Sequence, residues 1–133
     1  MTVSAADLVG VPLFESLNER ELQELASRFE AKDVGEGIQL VGEGASGYSF
    51  FILVDGTATV TAGGDEVAQL GPGDFFGEMA LLGDGRRRAT VTTSSPARVL
   101  VLFGTEFRQF EQDHPHIAEQ IETAMRDRAA LLR

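Results

Sequence analysis

Cysteine is missing from this chain of 133 residues, which rules out disulfides, thiolate catalysis and any metal held by cysteine. Basic charge is scarce: 11 Lys and Arg stand against 21 Asp and Glu, for a net charge of −10. A phosphate backbone calls for a basic face, so nucleic acid is not an expected partner. A small anion held by a few local donors remains compatible with that charge. Long apolar runs are lacking as well. None approaches the ~18 residues of a membrane span, and the N-terminus carries no basic-then-apolar signal pattern. Direct membrane insertion is therefore not expected, and the cytoplasm is the default location. Histidine is rare, with His114 and His116 flanking Pro115. The predicted strands contain none, and no nucleophile-elbow, phosphate-loop or zinc-ligand spacing occurs. No catalytic residue and no metal or cofactor site is assigned. The expectation is a protein that is not an enzyme.

What is present suits one soluble domain with a single core. Helical signals open the chain. Asn18 can cap a helix with Glu21 at its third position, after which Leu22, Leu25, Ala26 and Phe29 recur at helical spacing. Val11, Leu13, Phe14 and Leu17 are expected to pack beside it, after a break at Pro12. From about Asp33 to Phe103 the texture changes to short β-branched and aromatic runs: 48–54, 57–61, 66–70, 89–93 and 97–102. Gly-rich turns separate them, at Asp55-Gly56, Gly63-Gly64-Asp65 and Gly71-Pro72-Gly73-Asp74. Ser95-Pro96 marks the turn before the last run. Such a series predicts a β-sandwich or small barrel. Beyond Gly104 the pattern is helical again, with Thr105 a candidate cap and Pro115 opening a last helix of roughly 116–132. The predicted class is α+β, one domain over 1–133: helical over 1–32, β over 33–103 and helical over 104–133.

The local exception to the acidity is Phe76 to Thr90, F-G-E-M-A-L-L-G-D-G-R-R-R-A-T, where three of the basic residues stand in a row. Gly77 lets the backbone pass close to a ligand. The run 78–82 can form a short helical turn that aims free N–H groups at an anion. Strand parity then sorts the arginines: Val91 faces inward, and Arg87 and Ala89 share its parity, whereas Arg86 and Arg88 lie on the other face as solvated charges. An inward arginine is costly without a negative partner. That partner is either Glu78 or another acidic side chain, in a structural ion pair, or a ligand phosphate. In the second case Glu78 must face a neutral part of the ligand. A phosphate joined to a hydroxylated sugar meets both demands, which points to a nucleotide.

These residues resemble the phosphate-binding cassette of the cyclic-nucleotide-binding domain family, whose pattern reads F-G-E-[LM]-A-L, a Gly-containing turn, then R-x-A-T. Phe76–Leu81 and Arg87–Thr90 match it, and Gly42-Glu43-Gly44, Phe51–Gly56 and Leu70–Phe76 extend the match over most of the chain. The family includes the sensor domains of catabolite activator proteins, protein kinase A regulatory subunits and bacterial cyclic-nucleotide-gated channels. The resemblance implies a small antiparallel, jelly-roll-like β-roll with N-terminal helices and two C-terminal helices. It implies that Glu78 accepts the ribose 2′-hydroxyl and that Arg87 pairs with the cyclic phosphate. Backbone N–H groups near Gly77, Met79, Ala80 and Arg88, beside Ala89, would complete the phosphate site. Val60, Ala68, Leu70 and Met79 would line an apolar slot for the purine, although each also reads as ordinary core. Many members carry Ala, Ser or Thr after the phosphate-binding Arg, and a hydroxyl there favours guanine. Arg88 supplies none, so cyclic AMP is the expected ligand and cyclic GMP the alternative.

In the last helix Ile117, Ile121, Met125 and Leu132 form one apolar stripe, which Arg128 shares. Arg128 is either a cation well placed at a helix C-terminus, its stem on the apolar face, or the contact that covers the base. The family uses its last helix as such a lid, and Arg126 is the alternative contact. Catabolite activators follow this sensor with a helix-turn-helix, for which no room is left before Arg133. DNA binding is therefore not expected. The partner implied is an unidentified effector protein or a covalently linked output domain, such as that of a larger channel, kinase or transferase. A module that binds no ligand and serves interaction alone is the remaining alternative.

Overall fold

A computed structural model of the chain describes residues 3–42, 49–77 and 89–131, with side chains in the last helix up to Asp127. A short helix, α1 (Ala5–Leu8), opens it, where Asp7 accepts a hydrogen bond of 2.9 Å from the Ser4 backbone N–H. The expected break at Pro12 is a single 3₁₀ turn, Pro12–Phe14. Helix α2 (Glu19–Ala26) begins with the predicted box: the Asn18 side chain accepts from the Glu21 N–H and Glu21 accepts from the Asn18 N–H, both at 2.9 Å. Each bond satisfies an N–H that the first helical turn would otherwise leave open.

Among the described residues eight strands follow: β1 (Glu30–Val34), β2 (Gln39–Val41), β3 (Phe50–Asp55), β4 (Ala58–Ala62), β5 (Asp65–Leu70), β6 (Phe75–Phe76), β7 (Thr90–Thr93) and β8 (Ala97–Leu102). They form two antiparallel sheets, ordered β1-β8-β3-β6 and β2-β7-β4-β5. The β-roll flanked by helices is the predicted α+β class. The turn between β3 and β4 needs glycine. Gly56 has φ +87°, and a Cβ on it would stand 2.4 Å from the Pro96 carbonyl oxygen.

The first sheet is a middle layer, because alternate residues of β3 and β8 serve two cores. Phe50, Ile52, Leu100 and Leu102 face the helices, where they join Leu8, Leu13, Phe14, Leu25 and Phe29. Leu53, Val99 and Val101 face the interior of the roll with Ala58, Phe76 and Val91. This double burial is why residues 50–54 and 99–102 read as unbroken apolar runs.

Two helices close the chain, α3 (Gly104–Asp113) and α4 (Pro115–Leu131). The cap expected at Thr105 lies instead at Phe103. Its extended backbone ends β8, and its carbonyl accepts the Phe107 N–H at 3.0 Å. Thr105 therefore falls inside the first turn. The predicted stripe of α4 is buried at Ile117, Ile121 and Met125, while Leu132 lies outside the described residues. The end of α3 is tied to α2. The Arg28 guanidinium donates to Asp113 at 2.7 Å and, with Gln109, holds that carboxyl below its usual range. Next to it His114 lies 3.4 Å from Glu24.

Candidate functional site

The second sheet has one face turned into the roll, and register identifies its members. Val60 pairs with Ala68 on one side and with Val91 on the other. Ala58 pairs likewise with Leu70 and Thr93. Residues opposite one another, and residues two apart along a strand, share a face. Val60, Ala68 and Leu70 therefore lie on the same face as Ala58, Val91 and Thr93, as a purine slot requires. Ala58, Val91 and Thr93 are buried, at 0%, 3% and 2% exposure. By contrast Val60 and Leu70 are only half-buried and Ala68 is exposed. The inner face is thus sealed along β7 and left partly uncovered toward the β5 edge.

Ala89 precedes β7 at the parity of Val91 and is half-buried. Across the roll, Phe76 belongs to the same apolar cluster as Ala58 and Val91, with Val60 and Leu70 packed against it. Gly77 follows at once, half-buried, with φ +84°. That backbone conformation favours glycine. Of the expected site residues, Val60 and Leu70 pack against this cluster, Ala68 and Ala89 share their face by register and parity, and Gly77 follows directly after Phe76. Glu78, Met79, Ala80, Arg87 and Arg88 lie outside the described residues, as does the side chain of Arg128.

Three contributors were not singled out from the sequence. Phe51 faces the roll and stacks on Phe76, with ring centroids 5.0 Å apart and planes at 9°. The adjacent aromatic run was visible, but its cross-strand partner was not. Thr93 fastens the end of β7: its hydroxyl donates to the Gly35 carbonyl at 2.7 Å and accepts the Ile38 N–H at 2.8 Å. Val91 was read as inward, and Ala58 completes its row through register alone. Among the described residues no group of three or more His, Asp or Glu side chains could hold a metal ion. Nor is any described helix long and apolar enough to cross a membrane.

The sequence profile described as "Cyclic nucleotide-binding domain" matches residues 31–114. The chain belongs to that family. It is 35% identical over 114 residues to a cyclic nucleotide-gated potassium channel of Rhizobium etli, across 86% of this chain and 32% of the channel. It is 40% identical over 91 residues to a cAMP-dependent protein kinase regulatory subunit of Mycosarcoma maydis, across 65% of this chain and 17% of the subunit. This domain thus spans a third or less of the length of these two relatives. Among solved structures, the catabolite activator protein of Thermus thermophilus superposes with a TM-score of 0.76 at 30% identity, covering 91% of this chain and 60% of that one. The matched residues run from β1 to the end of α3 and so contain both sheets and the uncovered face between them.

Proposed function

We propose that this cyclic nucleotide-binding domain is a cyclic AMP sensor, not an enzyme, that takes its ligand into the uncovered part of the roll and closes its last helix over it. The observation that carries this reading is the contrast along the inner face, sealed at Ala58, Val91 and Thr93 but open at Val60, Ala68 and Leu70. An apolar surface left inside a roll, beside a left-handed glycine, suits a flat base joined to an anionic group. In this assignment Val60, Ala68, Leu70 and Met79 hold the purine and Glu78 accepts the ribose 2′-hydroxyl. Arg87 pairs with the phosphate, which also receives N–H groups near Gly77, Met79, Ala80, Arg88 and Ala89. Arg128 on α4 covers the base. Cyclic AMP is preferred over cyclic GMP because Arg88 supplies no hydroxyl to guanine, and the kinase relative is cAMP-dependent by name.

Residues 1–133 act as one unit in this account, in the cytoplasm, on an effector protein or a linked output domain rather than on nucleic acid. Ligand shifts the balance of open and closed arrangements only by its difference in affinity for the two. For a ligand of about twenty heavy atoms at ~0.3–0.5 kcal/mol each, affinity should fall between roughly tens of micromolar and tens of nanomolar. Calorimetric titration with cyclic AMP and cyclic GMP in parallel tests this. Saturation near one site per chain, tighter for cyclic AMP, is expected. Tighter cyclic GMP binding would overturn the role given to position 88, and no binding of either by folded protein would favour an interaction module.

A further inference from the structure

Strand β6 has two residues and stands at the edge of the first sheet, paired with β3 alone. Leu53 fixes its start, donating its N–H to the Asp74 carbonyl at 2.8 Å and accepting the Gly73 N–H at 2.7 Å, and beyond that point the two backbone pairs and the two rings place the strand. The rings point to opposite faces. Phe75 lies against Phe50 on the helix side, with centroids 5.9 Å apart. Phe76 lies flat on Phe51 in the roll, 5.0 Å away. Phe51 is itself anchored within the sheet, since its strand runs between β6 and β8 and it pairs with Val101. Gly77, with φ +84°, comes directly after Phe76. The place where the Phe76 ring rests therefore sets where the chain leaves the sheet.

We propose that Phe51 is a positioning residue of the nucleotide site: through its stack on Phe76 it fixes the Gly77 backbone where the ligand phosphate is received. This rests on the reading of the roll as a nucleotide site. Phe51 keeps partial exposure while its neighbours Phe50, Ile52 and Leu53 are fully buried. Its ring is thus not needed to seal a closed core. An aliphatic side chain there would keep apolar contact and lose the flat face on which Phe76 lies.

The test compares wild type, Phe51→Leu, Phe51→Tyr and Leu25→Ala. Leu25 is fully buried in the helix-side core and controls for a general loss of stability. Each is titrated with cyclic AMP and with its two phosphorothioate diastereomers, which differ only in the exocyclic phosphate oxygen replaced. Phe51→Leu should weaken cyclic AMP binding about tenfold to a hundredfold and change the ratio between diastereomers, as expected when a contact group is displaced by a fraction of an ångström to an ångström. Phe51→Tyr should restore affinity and ratio. Leu25→Ala should lower the melting temperature and leave both unchanged. Should Phe51→Leu fail to fold, Phe51→Met takes its place. Wild-type affinity and ratio in the Phe51 variant, or the same loss in Leu25→Ala, would overturn the inference alone. Absence of binding by wild type would sink the nucleotide reading and this inference together.

Discussion

The helix-facing and roll-facing sides of the first sheet are built from alternate residues of the same two strands, yet they are filled to different degrees. On the helix side Phe14, Phe29 and Phe50 meet edge to face, with centroids 6.2–6.5 Å apart. Phe107, Phe110 and Ile121 continue that core with almost no exposure. On the roll side the buried cluster thins out into the half-buried Phe51, Val60 and Leu70. A filled core stabilises a fold and leaves nothing for a ligand to displace but packed side chains. An interior that stays open at one edge offers apolar surface that a base can cover. Under the proposed function, stability rests on the helix-facing side of the first sheet, and recognition on the interior that its other side encloses with the second sheet.

The division can be broken on either side. Phe110→Ala on the helix side should cost about 3–5 kcal/mol, a large share of a typical domain stability. Urea unfolding would register it as a lower midpoint. At the proposed phosphate contact, Arg87→Ala should leave that midpoint near wild type and weaken cyclic AMP by roughly 10²–10⁴, the ~3–5 kcal/mol of a buried charge pair broken from one end. Calorimetry reads the difference. A sharper probe adds bulk: Ala68→Leu fills exposed inner-face space, so it should change stability little, within about 0.5 kcal/mol. Its cyclic AMP affinity should nonetheless fall by about tenfold or more, the effect of a steric block worth at least ~1.4 kcal/mol.

The smallest effect concerns the helical pair that would carry the lid. Glu111 on α3 hydrogen-bonds Glu122 on α4, and that bond, with burial and the charge of Glu122, pushes its carboxyl up to about 7, against a weaker opposing pull from Arg108. Arg126 lies 3.7 Å from Glu122 on the same helix. A raised carboxyl means that the folded chain holds a proton the unfolded chain releases. Its contribution to stability is complete below the ordinary value of 4.5 and is lost as pH rises through about 7. Solvent screening holds the loss to about 1 kcal/mol or less. Melting temperature should therefore decline modestly from pH 5 to pH 8, and Glu111→Gln should flatten that slope.

Much of the fold was legible because its signals are local. The Asn18–Glu21 box, the turn at Gly56 and the run 97–102 each lie within a few residues and match the structure closely. Strands β1, β2 and β6 were not read. Glu30–Val34 is largely polar and exposed, and it is a strand because β8 offers it a pairing edge. Gln39–Val41 and Phe75–Phe76 are too short to show a period. For the site, parity along β7 predicted that Val91 faces inward, and the family resemblance implied one slot for Val60, Ala68 and Leu70. What parity within one strand could not supply is register between strands. Register sets Val60 against both Ala68 and Val91, and lays Phe51 beside Phe76.

The most direct test of the central claim maps cyclic AMP onto the two faces by amide NMR titration. The largest shifts should fall at Val60, Ala68, Leu70, Gly77 and Ala89, with Leu25, Phe29 and Phe14 little changed. Shifts centred on the helix-side core, or a saturable ligand that leaves the roll residues unmoved, would contradict it.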